Sequence, residues 1–126
     1  MGCGASKAVY VAEFHNGKPD FKYDDVTKSF DEGNGLLFRL VNKKKQQWAY
    51  YNDTIDRKMV VNVTFKEGSL VKAMGNTHME TQEEDGLFHA TLTVMPLQTE
   101  LFIEGTVTGF KSSIENLPLE SAPLPE

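Results

Sequence analysis

Apolar and polar residues alternate along much of this chain with a period of two, the spacing at which successive side chains of a strand point to opposite faces. Residues 59–65 show it most clearly, with Met59, Val61, Val63 and Phe65 on one face and Val60, Asn62 and Thr64 on the other. The stretch 87–95 repeats the pattern with Phe88, Ala90, Leu92 and Val94. Residues 36–41 (LLFRLV) form an apolar run interrupted only by Arg39, which predicts a central strand, and 47–52 (QWAYYN) returns as an aromatic-rich strand. A further strand is expected at 9–14 (VYVAEF), with both faces partly buried, and a short edge strand near 26–30. Residues 99–110 (TELFIEGTVTGF) read as one last strand, in which Gly105 marks a bulge or the close approach of another backbone. At 69–74 (SLVKAM) a short helix and an irregular strand both fit.

Turn chemistry separates these segments. Asn16-Gly17 supplies a tight turn, with Pro19 behind it. Lys43, Lys44 and Lys45 cannot be buried together and predict a solvated hairpin tip between 36–41 and 47–52. Asn52, Asp53 and Thr54 have side chains suited to bonding their own backbone at a strand end. The Asp85-Gly86 step predicts a hairpin that pairs 77–82 with 87–95. After Lys111 the alternation dissolves. Residues 117–126 carry Pro118, Pro123 and Pro125 and are expected to form a mobile tail rather than a strand. About eight short strands without a long amphipathic helix predict an all-β antiparallel sandwich. The expected division is an arm at 1–8, a sandwich domain at 9–117 and a Pro-rich tail at 118–126.

A length of 126 residues suits one domain with a real core. No apolar run approaches the roughly eighteen residues of a membrane span, and no apolar signal-peptide region follows Lys7. The domain is therefore expected on the cytosolic side, which makes the N-x-T matches at Asn52 and Asn62 chance occurrences. A net charge of −5 argues against general nucleic-acid binding, and one cysteine rules out an intrachain disulfide or a thiolate cluster.

The first seven residues, MGCGASK, carry chemistry of a different kind. Removal of Met1 would expose Gly2, and Gly2 with Ser6 satisfies the M-G-x-x-x-[ST] acceptor pattern for N-myristoylation. One myristoyl chain binds a bilayer with an association constant of about 10⁴ M⁻¹, so a stable anchor needs a second signal. Between Lys7 and Lys28 four lysines are balanced by Glu13, Asp20, Asp24 and Asp25, so this segment is no polybasic patch. S-palmitoylation of Cys3 is the remaining second signal. At roughly 0.8 kcal/mol per buried CH₂ it would add on the order of 10 kcal/mol.

The motifs GNGLLFRLV (33–41), WAYYNDT (48–54), VNVTF (61–65) and ELFIEGTVTGF (100–110), in this order and spacing, resemble the small kinetoplastid calpain-related proteins. The resemblance is closest to the small myristoylated proteins of the kinetoplastid flagellum and runs from about Val9 to Leu117. It implies a β-sandwich without calpain catalysis, attached to the inner leaflet of the flagellar or plasma membrane. Gly2 and Cys3 match the dually acylated positions of that family.

A calpain-like protease needs a cysteine, a histidine and an asparagine held together, and Cys3 lies in the arm. His15, His78 and His89 lack ligand-like spacing. Asp24, Asp25, Asp31, Glu32, Asp53 and Asp56 repeat no calcium-loop pattern and read as solvated turns. Lys43, Lys44 and Lys45 fit either a solubilising tip or a contact with anionic lipid. Trp48, Tyr50 and Tyr51 fit either the core or a ligand face, with the core favoured for Trp48. The resulting expectation is a monomeric, non-enzymatic, acyl-anchored structural or adaptor protein. It needs no cofactor or metal, binds no nucleic acid and meets a protein partner the sequence does not identify. The alternative is a sandwich that holds a lipid or small amphiphile.

Overall fold

The structure, a computed structural model, describes Phe14 and residues 16–28, 37–81 and 84–118. Among these residues there are nine strands and no helix: β1 (Asp25–Lys28), β2 (Leu37–Asn42), β3 (Gln47–Asn52), β4 (Arg57–Phe65), β5 (Leu70–Ala73), β6 (His78–Thr81), β7 (Phe88–Val94), β8 (Thr99–Thr106) and β9 (Phe110–Pro118). They form two antiparallel sheets, one in the order β1-β2-β3-β8-β5 and the other β9-β4-β7-β6.

The period-two pattern fixes which face of each strand is inside. Met59, Val61, Val63 and Phe65 of β4 and Ala90, Leu92 and Val94 of β7 pack against Leu37, Trp48, Tyr50, Phe102 and Ile103 of the facing sheet. The intervening residues are not equivalent in the two sheets. Phe38, Leu40, Ala49 and Tyr51 point away from the inter-sheet core and are still fully buried, because Phe14, Phe21, Tyr23, Val26 and Leu101 cover them. The segment 16–24 runs along this outer face: Asn16 is bound to Asp53, Asp20 N–H donates to Thr99, and Asp24 accepts from Lys43 N–H. The central strands β2 and β3 of the five-stranded sheet are therefore buried on both sides, while its edge strands β1 and β5 are mostly exposed.

Most expected strands are present. The short edge strand is β1, and 69–74 contains the strand β5 rather than a helix. Two expectations change, and a third is not tested. The predicted strand at 9–14 lies outside the described residues apart from Phe14, which is not in a strand. The stretch 99–110 is two strands instead of one: Thr108 breaks it by donating its N–H to Ser69 Oγ and its hydroxyl to the Glu67 carbonyl in the 66–69 turn, and the chain crosses to the other sheet. Residues 111–118 then continue as β9 along β4, with Leu117 opposite Lys58 and Pro118 opposite Arg57. The proline is tolerated because β9 is an edge strand and Pro118 is its last residue.

Gly105 is the close approach that its position in a strand suggested. Its φ is +142°, and a Cβ there would lie 2.1 Å from the Leu70 carbonyl oxygen. The bulge sits nearby, where the register shifts between Trp48 and Ala49 and turns Phe102 and Ile103 both into the core.

Candidate functional site

Arg39 occupies an inward position of β2, between Leu37 and Val41, in a row otherwise given to core residues. Next to β9, the edge of the opposite sheet, the two sheets do not close over it. Its guanidinium carbon lies 4.6 Å from the Trp48 ring centre and 4.8 Å from that of Phe110. Each contact is within cation–π range, worth about 0.5–2 kcal/mol depending on desolvation. Trp48 and Phe110 are themselves held edge to face at 5.0 Å.

The two rings lie on the same side of the guanidinium, and its donors are poorly served. One Nη makes a long hydrogen bond to Thr27 Oγ1 at 3.5 Å, and the buried Nε has no hydrogen-bond partner among the described residues. The Arg39 charge also acts on Tyr50, opposite it in the register, partly offsetting the burial that pushes that phenol's ionisation well above its usual range.

Two cavities open on Arg39. One, of about 190 Å³, is lined by Lys28, Tyr50, Phe110, Ser112 and Ile114 among others. The second, of about 430 Å³, extends past Val41, Lys43, Gln46 and Trp48 to residues 105–110. Lys28, Arg39 and Lys43 are the charged residues lining them, and no carboxylate does so among the described residues. That is notable in a chain with 18 acidic residues against 13 basic ones. The sequence signal for this site was the single charge interrupting LLFRLV, a feature that period-two reading passes over.

The other candidate residues fall elsewhere. Lys43, Lys44 and Lys45 form the exposed turn between β2 and β3, closed by Gln46 at φ +54° and by Asn42 Oδ1 accepting from Lys45 N–H. Asn52, Asp53 and Thr54, at the far end of β3, are buried rather than solvated. The Asn52 amide donates to the carbonyls of Arg57 and Val94, each at 2.8 Å, and its oxygen accepts from Thr54. Asp53 Oδ1 accepts from Asn16 N–H and from the Tyr51 hydroxyl, both at 3.0 Å. This makes Asp53 a structural acceptor and corrects its reading as a solvated turn residue. Ile55, Met95, Leu97 and Leu117 are exposed around the same end.

Trp48, Tyr50 and Tyr51 are all core residues, Trp48 also walling the larger cavity. His78 is exposed beside Glu80, and His89 pairs with Asp85 and Thr64. Among the described residues no three histidine, cysteine or acidic side chains converge as a metal site. Gly2, Cys3, His15, Asp31 and Glu32 lie outside the described residues.

Fold and cleft together define a small two-sheet antiparallel β-sandwich with one cationic, aromatic-walled opening between its sheets. Residues 14–119 match the family model described as Domain of unknown function (DUF1935), and the chain belongs to that family. It is similar to the NMR structure of SMP-1 (Small Myristoylated Protein) from Leishmania major, with 53% identity, 96% of this chain and 92% of that one covered, and a TM-score of 0.84. A Leishmania major hypothetical protein is also similar, at 30% identity, 86% and 94% coverage, and a TM-score of 0.78. No curated protein matches the chain.

Proposed function

We propose that this chain is a non-enzymatic membrane-associated structural or adaptor protein, myristoylated on Gly2 and palmitoylated on Cys3, at the inner leaflet of the flagellar or plasma membrane. The observation that carries the reading is the agreement of two independent facts. A relative at 53% identity bears the name Small Myristoylated Protein, and this chain's own Gly2 and Ser6 fit the acceptor pattern. The fold supports a module that carries an anchor. Its segment 16–24 is fastened to the sandwich by hydrogen bonds and aromatic packing, so a pull on the arm is transmitted to a rigid body.

The amphiphile-holding alternative has less support, because the space between the sheets is filled by side chains such as Tyr50, Phe65 and Phe102. A lipid contact by Lys43, Lys44 and Lys45 remains compatible with the anchor. Six residues of β3 separate that turn from the Asn52–Asp53 end, about 17 Å at strand rise. The twelve steps from Gly2 to Phe14 reach at most about 43 Å.

Fractionation of the protein expressed in its own cell type tests this reading. Gly2→Ala should move it from the membrane pellet to the supernatant; if the variant still pellets, the arm is not the anchor. Cys3→Ser should retain the first acyl chain and exchange between membrane and supernatant. If Cys3→Ser stays bound and is released only when Lys43, Lys44 and Lys45 are also changed to Ala, the lysine turn supplies the second signal in place of palmitate.

A further inference from the structure

We propose that the Arg39 cleft is a binding site for a phosphate group. The inference stands on the folded domain and does not depend on acylation of the arm.

An arginine in the interior of a β-sandwich normally brings its own counter-charge, because an unpaired buried cation is costly. Arg39 has none among the cleft's described residues; what it has instead is a pair of mutually packed rings, Trp48 and Phe110, against its guanidinium. Trp48 and Phe110 hold the guanidinium from one side, while its donors make a single long hydrogen bond, to Thr27, among the described residues. A planar fork of N–H groups fixed in this way suits a tetrahedral or planar oxyanion, which it can bind through two parallel hydrogen bonds.

The flanking charges choose between oxyanions. Lys28 lines the smaller cavity and Lys43 the larger, so a cation stands to each side of Arg39 along the opening. A single carboxylate needs one positive partner. A phosphate monoester, carrying up to two negative charges, suits three. Neutral donors complete the lining: Thr27 and Ser112 in the smaller cavity, and Thr106 and Thr108 in the larger. At about 430 Å³ the larger cavity accommodates a phosphorylated ring as well as the phosphate itself. Such a group belongs equally to a soluble metabolite and to the headgroup of a phosphorylated lipid.

Trp48 is the chain's one tryptophan and forms a wall of the cleft, so its fluorescence and its indole N–H resonance report on occupancy directly. The full-length, unacylated protein is titrated with inorganic phosphate and with inositol hexakisphosphate, against sodium chloride at matched ionic strength. Saturable changes in both Trp48 signals are expected for the inositol phosphate, with a Kd of about 1 mM or tighter, and none for chloride. Arg39→Gln should weaken binding at least about tenfold, the scale of one charge-assisted bidentate contact. Arg39→Lys should also weaken it, since an ammonium lacks the fork.

Because Arg39 variants lose two ring contacts and could unfold, Ser112→Asp gives an independent test: it supplies the missing carboxylate inside the cleft, and should keep the fold while abolishing binding. The source of the phosphate is read by adding phosphatidylcholine vesicles with and without a phosphoinositide. A Trp48 response to the phosphoinositide vesicles identifies a headgroup site, whereas a response confined to the soluble ligand identifies a metabolite site. Absence of any Trp48 response to both ligands overturns the proposal. So does a response that survives unchanged in Arg39→Gln and in Ser112→Asp.

Discussion

Replacing Asn52 tests whether its buried amide ties the end of the sandwich together. Its side chain is fully buried at the end of β3 and makes four hydrogen bonds: Nδ2 donates to the carbonyls of Arg57 and Val94, and Oδ1 accepts from the backbone N–H and hydroxyl of Thr54. These contacts join β3 of one sheet to the ends of β4 and β7 in the other. In Asn52→Ala the Arg57 carbonyl keeps the Thr54 hydroxyl as a donor, but the Val94 carbonyl and the Thr54 N–H both lose this partner. Two orphaned buried groups at about 1–2 kcal/mol each give a loss of about 3 kcal/mol. With an unfolding entropy of about 2.1 cal/mol/K per residue, that lowers Tm by about 12 °C. Asn52→Asp should be worse, about 5 kcal/mol, because it aims a carboxylate oxygen at two carbonyls and buries a charge. Thermal and urea unfolding followed by circular dichroism give both values. If Asn52→Ala stays within about 0.5 kcal/mol of the parent, or Asn52→Asp is no worse than Ala, the amide is not a structural tie.

Val63→Asp should abolish cooperative unfolding, since Val63 is 1% exposed in the middle of β4 between β9 and β7; an unchanged Tm would refute the register. Gly105→Ala should cost about 2–4 kcal/mol by forcing a Cβ into the Leu70 carbonyl and a strained φ, with hydrogen exchange accelerating first in β5. The Tyr51 hydroxyl is buried and donates to Asp53, which together hold its ionisation well above the ordinary tyrosine value of 10.0. A raised native pKa means that stability is fully present below about pH 10 and falls as the pH rises further, because the unfolded chain then loses the proton first. Urea unfolding at pH 9 and pH 11 should show that fall, and Tyr51→Phe should reduce it; an equally steep fall in the variant would assign the effect to other groups.

Strands with strict alternation were legible from sequence because each has one face in the inter-sheet core, as β4 and β7 do. What was hidden follows from three physical situations. β9 reads as FKSSIENLP, nearly without pattern, because Phe110 and Ile114 reach the core while Ser112 between them faces the cleft. The bulge at β8 could not be placed because Leu101, Phe102 and Ile103 are all apolar, and composition does not say which two share a face. The second apolar layer was not anticipated: QWAYYN is mostly buried on both faces, but its cover comes from the irregular segment containing Phe21 and Tyr23, which has no periodicity to read. Burial of Asp53 depended on Asn16, 37 residues away, a contact no local rule anticipates.

The start of the described chain and the cleft lie at different places on the same sandwich, and this links the two proposals. The described chain begins beside the Asn52–Asp53 end, where Ile55, Met95 and Leu97 are exposed, whereas the larger cavity opens toward the lysine turn at the other end of β3. An acylated protein standing on the first end would hold its cleft about 17 Å farther from the bilayer, beyond a phosphoinositide headgroup and beyond about one Debye length of lipid charge. Lying along its β1 and β9 edges instead, it would bring Lys28, Arg39 and Lys43 to the surface together, and the arm's reach of about 43 Å permits this. Comparing unacylated and acylated protein on phosphoinositide vesicles therefore measures orientation: a lipid response by the unacylated protein that acylation abolishes means the upright stance, and an Arg39-dependent lipid response that the acylated protein keeps means the edge-on one.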